Sequence, residues 1–256
     1  MKTAQSERSS RGGRRNTPTR KNTSSKPRSK STSGSLPASL SDLSSQIWDH
    51  AQVKSYLIET VEEILKARNV PKHRVTSPNL EITIPAVEAM RYSTLRREIA
   101  GLIASTMDLE KASDAHPSFL NILSQLTRDE MNILAVFPGK GRVLPVANLW
   151  VTYSAKNTEI LHRNIVPSSI ARLCDVKSRI PTYVDNLLRL QLLQEPDGIR
   201  IEDNRLYTNL TRQTFCSRLL DDAHTRRNSK LEKRAMAISG IGETLVRVCS
   251  SPTLSK

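Results

Sequence analysis

The stretch "MDLEKASDAHPSFLNILSQLTRDEMNIL", Met107 to Leu134, sets five acids and a histidine between apolar runs. Its reading separates two kinds of protein. If Asp108, Glu110, Asp114 and His116 converged, they would form a metal or acid-base site. Their offsets instead scatter them around a helix end. Pro117 suits the first position of a new helix, where its fixed φ helps and its missing N–H costs nothing. The Asp and His side chains before it can take the free N–H groups. Phe119, Ile122, Leu123 and Leu126 then form an apolar face. Thr127 to Glu130 is a T-x-x-E capping box, in which each side chain serves the other residue's backbone N–H. The stretch thus reads as a connector holding two helix starts, with His116, Pro117, Phe119, Thr127 and Glu130 as its structural signature.

Upstream of it, Ser41 or Asp42 is placed to cap a helix with Val53, Leu57, Val61, Ile64 and Leu65 on one face, stopping near Asn69 before Pro71. "HRVTSPNLEITIP" reads as mostly extended, with Ser77 held out of the helical region by Pro78. A short helix from about Pro85 to Tyr92 follows. Ser93 or Thr94 then caps a longer one carrying Leu95, Ile99, Leu102, Ile103 and Thr106, in which Gly101 and Ala104 permit close approach of a neighbour. These segments predict a helical bundle over 41–126.

Downstream, Met131, Leu134 and Ala135 face inward on a helix closed by Pro138-Gly139. "GRVLPVANLWVTY" is β-prone, and its proline suits an edge strand. Ser168 can cap "SIARLCD". Ser178 can cap a helix over 179–192, with Pro181 near its start and Val184, Leu187 and Leu188 on one side. After "EPDG", the alternation in "IRIEDNRLYT" predicts a β-hairpin turning at Glu202 to Asn204. That order predicts a winged-helix-like α+β unit over 127–225. Residues from Thr211 to about His224 and from Lys230 to Val248 read as amphipathic helices, the latter within a C-terminal helix and tail over 226–256. The fold class is mainly α.

Residues 1–40 are different. Ten cations against Glu7 alone give residues 1–36 a charge of +9, out of +14 for the chain. With almost no apolar group to bury, this basic tail is expected to be disordered and to add contact with nucleic acid or another polyanion. No run approaches the ~20 apolar residues of a membrane span. The three scattered cysteines, Cys174, Cys216 and Cys249, fit a reducing, cytoplasmic setting without disulfides, and they lack the spacing of a zinc site.

Chemistry is thinly signalled. Arg218 and His224 in "RLLDDAH" have the spacing of the active pair in HEPN-type ribonucleases, where the histidine handles protons and the arginine holds phosphate. Arg68 and His73 show a similar spacing with a proline between them, so the pattern arises cheaply. "PGKG" lacks the flanks of a phosphate-binding loop, and "GIGETL" lacks a third glycine and a preceding strand. No cofactor or metal is expected. If the winged-helix-like unit reads DNA, Lys177, Arg179, Thr182, Tyr183, Asn186 and Arg189 are the residues its recognition helix presents. Glu202-Asp203 at the hairpin tip would oppose that contact.

"VPKHRVTSPNLEITIPAVEAMRYS", the opening stretch with its preceding "LRREIAGLIAST", and "VDNLLRLQLL" followed by "RLYTNLTRQTF" resemble the Abi-alpha family. These are bacterial proteins associated with abortive infection against phage. The resemblance spans roughly 50–220 and implies a mainly helical, bacterial, cytoplasmic protein contributing to phage defence, with no established catalytic residues to carry over. It departs at Gln191, where the family tends to have glycine. The expected function is non-enzymatic, through protein or nucleic-acid contacts. The alternatives are a winged-helix DNA-binding regulator and a HEPN-like ribonuclease effector.

Overall fold

The structure is a computed structural model that describes residues 47–137, 143–212 and 228–250, all within one compact unit, Asp42–Lys256. Helix α1 (His50–Ala67) is opened by Asp49, which accepts from Gln52 N at 2.7 Å while Gln52 Oε1 accepts from Asp49 N at 2.9 Å. The helix that carries Val53 to Leu65 is thus capped at Asp49; Ser41 and Asp42 lie outside the described residues. The helix ends with Asn69 in the left-handed region (φ 53°) and Val70 N donating to Leu65 O at 3.0 Å, which takes up an otherwise orphaned carbonyl.

Helix α2 (Leu80–Met90) starts five residues before Pro85 because Asn79 accepts from Glu81 N at 2.9 Å. Only the part of the crossing segment before Asn79 escapes it, and that part includes a 3-10 turn at Lys72–Arg74. Exposed Pro85 is carried within the helix, at the loss of one internal bond. Helix α3 (Arg96–Thr106) buries every residue from Ile99 to Thr106. It is the central helix, packed by α1, α2, the short α4 (Ser118–Leu123) and the last helix of the described chain. Helix α5 (Arg128–Val136) buries Met131, Ile133 and Leu134 and turns Ala135 outward.

Strand β1 (Leu144–Ser154) forms a hairpin with β2 (Asn157–Ile165), then come α6 (Ser168–Ala171), α7 (Ile180–Arg189) and β3 (Leu193–Gln194). After them lie α8 (Asn204–Thr211), β4 (Ser229–Ile238) and α9 (Gly240–Cys249). The antiparallel sheet runs β2-β1-β4-β3. Among the described residues the protein is mainly helical, with this one four-stranded sheet.

Three expectations are corrected here. β1 is an interior strand, paired on its second side with β4 from Leu144↔Met236 to Val151↔Ser229. Pro145 is tolerated because β2 pairs only from Ala147 onward, so a strand flanks Pro145 on one side alone. The partner β4 comes from the expected helix at Lys230–Val248. "KLEKRAMA" has strong helix formers, but the open edge of β1 outweighs that weak preference. The helix begins only at Ser239, whose Oγ accepts from Gly242 N at 3.0 Å. The expected hairpin in "IRIEDNRLYT" is instead a loop leading into α8. Asp203 caps it by accepting from Arg205 N at 2.9 Å, and Tyr207 and Leu210, three apart, are buried.

One apolar cluster runs from Val53 through α2–α7 to Leu245, Val248 and Cys249. A smaller cluster of Ala147, Leu149, Ile165, Tyr207 and Leu210 seats α8 on the opposite face of the sheet. Helix α7 ends with Gln191 at φ 56° and Leu192 N donating to Leu187 O at 2.9 Å. That left-handed position explains the preference for glycine noted above, since a β-carbon there is strained. Gln191→Gly should raise stability by about 1 kcal/mol in urea unfolding. No gain would mean that the side chain offsets the strain.

Candidate contact site at the start of helix α7

The loop leading into α7 is held from below by α5. Asp129 is buried, and its two carboxylate oxygens accept from Asp175 N at 2.9 Å and Val176 N at 3.0 Å. Burial pushes its pKa up, but those two bonds and one from the Tyr183 hydroxyl outweigh it and leave the group below the usual carboxylate range. Glu130 closes the capping box with Thr127: Thr127 N donates to Oε2 at 2.6 Å, and Thr127 Oγ1 accepts from Glu130 N at 3.3 Å. Its other oxygen accepts from Asn186 Nδ2 at 2.7 Å, which ties the box to α7.

From the sheet side, Asn164 Nδ2 donates to Pro181 O at 3.1 Å and to Asp185 Oδ1 at 2.7 Å. Asn164 sits in the strand with φ 50° and receives Arg234 Nη1 at 2.8 Å. Arg234 also pairs with Glu195, and Asn148 donates to Glu232 Oε2 at 2.9 Å. This polar network was missed in the sequence because its members lie up to 86 positions apart. Its only local trace is asparagine at two buried strand positions.

The six residues proposed for nucleic-acid contact thus divide. Lys177, Arg179 and Thr182 are exposed around the start of α7. Tyr183 is buried on Asp129. Asn186 is held by Glu130 and by Gln125 O at 3.0 Å, and exposed Arg189 is joined to Asn186 Oδ1 and Gln125 Oε1. The first three present two cations and a hydroxyl; the last three fasten α7 to the helical layer. Arg218 and His224 lie outside the described residues.

The polar groups of the opening stretch also go separate ways. Asp108 is fully buried and pairs with Arg74 Nε at 2.7 Å, while Glu110 takes Arg74 Nη1 at 2.5 Å. Asp114 pairs with Arg247 of α9 at 3.0 Å. His116 is exposed, and its Nδ1 accepts from Ser118 N at 3.1 Å in the role of a helix cap.

The profile of the abortive infection alpha family matches residues 52–249. The chain belongs to the abortive infection alpha family. No curated protein matches it. Among solved structures, it is similar to an uncharacterised protein from the hydrocarbon-degrading marine bacterium Alcanivorax borkumensis SK2. That likeness is 17% identity and a TM-score of 0.29, covering 51% of this chain and 90% of the other.

In this abortive infection alpha protein the two described cysteines are free and buried. Burial raises the Cys174 thiol to about 11 and raises Cys249 as well. No described helix is long and apolar enough to cross a membrane. Phe119 is buried against the main cluster, with its ring edge-on to His116 at 6.3 Å. Phe119→Ala should cost about 3 kcal/mol, whereas His116→Asn, which keeps a capping acceptor, should cost less than about 0.5 kcal/mol. Thermal unfolding of both variants checks this, and the reverse order would return His116 to the candidates for function.

Proposed function

We propose that this chain serves abortive infection by binding nucleic acid rather than by catalysis. The observation that carries the reading is the free cationic start of α7, where Lys177, Arg179 and Thr182 stand exposed while Tyr183, Asn186 and Arg189 lock the helix in place. Support for the winged-helix-like reading comes from the adjacency of β1, β4 and β3 and from α5, α6 and α7 lying in that order along the chain. In such units, residues near the start of the recognition helix reach base edges. The positive end of α7 adds to the two cations in attracting phosphate. Glu202 and Asp203, which opposed the reading from an expected hairpin tip, instead precede α8, with Asp203 occupied as its cap. The tail's +9 charge then supplies sequence-independent affinity.

Gel shifts with duplex DNA and structured RNA at several salt concentrations test this. The full chain should bind, and removal of residues 1–40 should weaken it and flatten its salt dependence. Lys177→Gln with Arg179→Gln should lower the salt slope by about two more. If neither the full nor the shortened chain binds at low salt, the nucleic-acid reading fails. The non-enzymatic part expects RNA to stay intact; cleavage lost on Arg218→Ala and His224→Ala would replace it with a ribonuclease. For the role in defence, plaque counts on cells with and without the gene should differ for at least one phage.

A further inference from the structure

A cavity of about 250 Å³ lies between the end of β2, α6 and the start of α7. Val166, Ala171, Ile180 and Pro181 give it apolar walls, and Lys177 and His162 bring a cation and an imidazole to it. Neither end of this cavity is accidental in construction. Its floor is fixed by Asn164, which bonds Pro181 O and Asp185 on α7, and its far wall by the Asp129 clamp on the loop before Lys177. The nearby Asp185 carboxylate is engaged by Asn164 at 2.7 Å. Burial holds the His162 pKa below its ordinary value.

An apolar chamber with a few placed polar groups is the usual form of a small-molecule site. At about 30 Å³ for each water-sized group, this one holds roughly eight such groups, below the usual span for a drug-sized ligand. Charge then selects among small ligands. The geometry points to a binding site for a short-chain monocarboxylate, with its alkyl chain between Val166, Ala171 and Ile180 and its carboxylate toward Lys177. A C6 chain with its carboxylate has the matching size, and an alcohol of the same length shares the apolar part without the charge. The site shares Lys177 with the proposed nucleic-acid contact, but its cavity and its test involve no nucleic acid.

Residue-resolved NMR titration of the full chain with sodium hexanoate tests it, with hexan-1-ol as the uncharged control. Hexanoate should cause saturable shifts at Val166, Ala171 and Ile180 with a Kd below about 1 mM. Hexan-1-ol should bind at least threefold more weakly. Lys177→Gln, at an exposed position that folding does not need, should weaken hexanoate at least threefold and leave the alcohol unchanged. Ala171→Leu should fill the chamber and abolish binding of both; should that variant fail to fold, the shift map and Lys177→Gln still decide. Shifts that do not saturate by 10 mM, on the order of tenfold the expected limit, would overturn the site. Saturable shifts centred elsewhere, or an alcohol as tight as the carboxylate, would do the same.

Discussion

Gly101→Ala is expected to destabilise the protein by about 4 kcal/mol or to detach α9. A β-carbon at Gly101 would stand 2.0 Å from the Cys249 carbonyl oxygen and 2.8 Å from its carbon. Both are backbone atoms, so no side-chain rotation relieves the clash. Helix α9 must move, and the atoms holding it there are numerous. Arg68 Nη2 donates to Val248 O at 2.9 Å and to Ser250 O at 2.8 Å, while Ser105 Oγ donates to Val248 O at 2.7 Å. Moving α9 breaks these bonds and uncovers Leu245 and Val248, worth about 2 kcal/mol each. Equilibrium urea unfolding measures the loss, and a change under 1 kcal/mol would show that the helices separate at little cost.

Asp129→Ala should cost about 4 kcal/mol, because it leaves two backbone N–H groups and the Tyr183 hydroxyl without their acceptor. Asp129→Asn should be little better, since its amide nitrogen would face a donor. The same carboxylate gives a pH signature. The folded protein holds it below its unfolded value of about 3.9. Its contribution is therefore complete above that value and is lost as pH falls through the lower folded pKa. Stability measured between about pH 5 and pH 2 should fall less steeply in Asp129→Asn than in the parent. Parallel curves would mean that the carboxylate is not ionised against those N–H groups.

Local chemistry made much of the bundle legible. The Thr127–Glu130 box and the stop at Asn69 follow from near neighbours in the chain, whereas the single apolar face expected of α3 was too narrow, since every residue from Ile99 to Thr106 is buried. Gly101 announced a close neighbour without saying which. That α9 fills the place rests on contacts 180 and 182 positions apart. The sheet was harder for the same reason. β4 is composed of helix formers and becomes a strand only because β1 offers an unpaired edge 84 positions earlier. At the candidate site, Lys177, Arg179 and Thr182 were recognisable from their helix. Tyr183 was not separable from them, because Asp129, the acid that draws it inward, sits on another helix.

The docking of α9 on α3 also constrains the order in which the molecule can be made. As the chain is made, α1 and α3 precede their partner by a long interval: Ser105 on α3 and Val248 on α9 lie 143 positions apart. Until Val248 and Ser250 are available, Arg68 and Ser105 face water and the groove over Gly101 stays uncovered. Closure across that separation is slow relative to local helix formation. Completing the seat that Arg68 and Ser105 offer to α9 is therefore a long-range step of folding, joining groups 143 to 182 positions apart, and it depends on chain made long after α1 and α3.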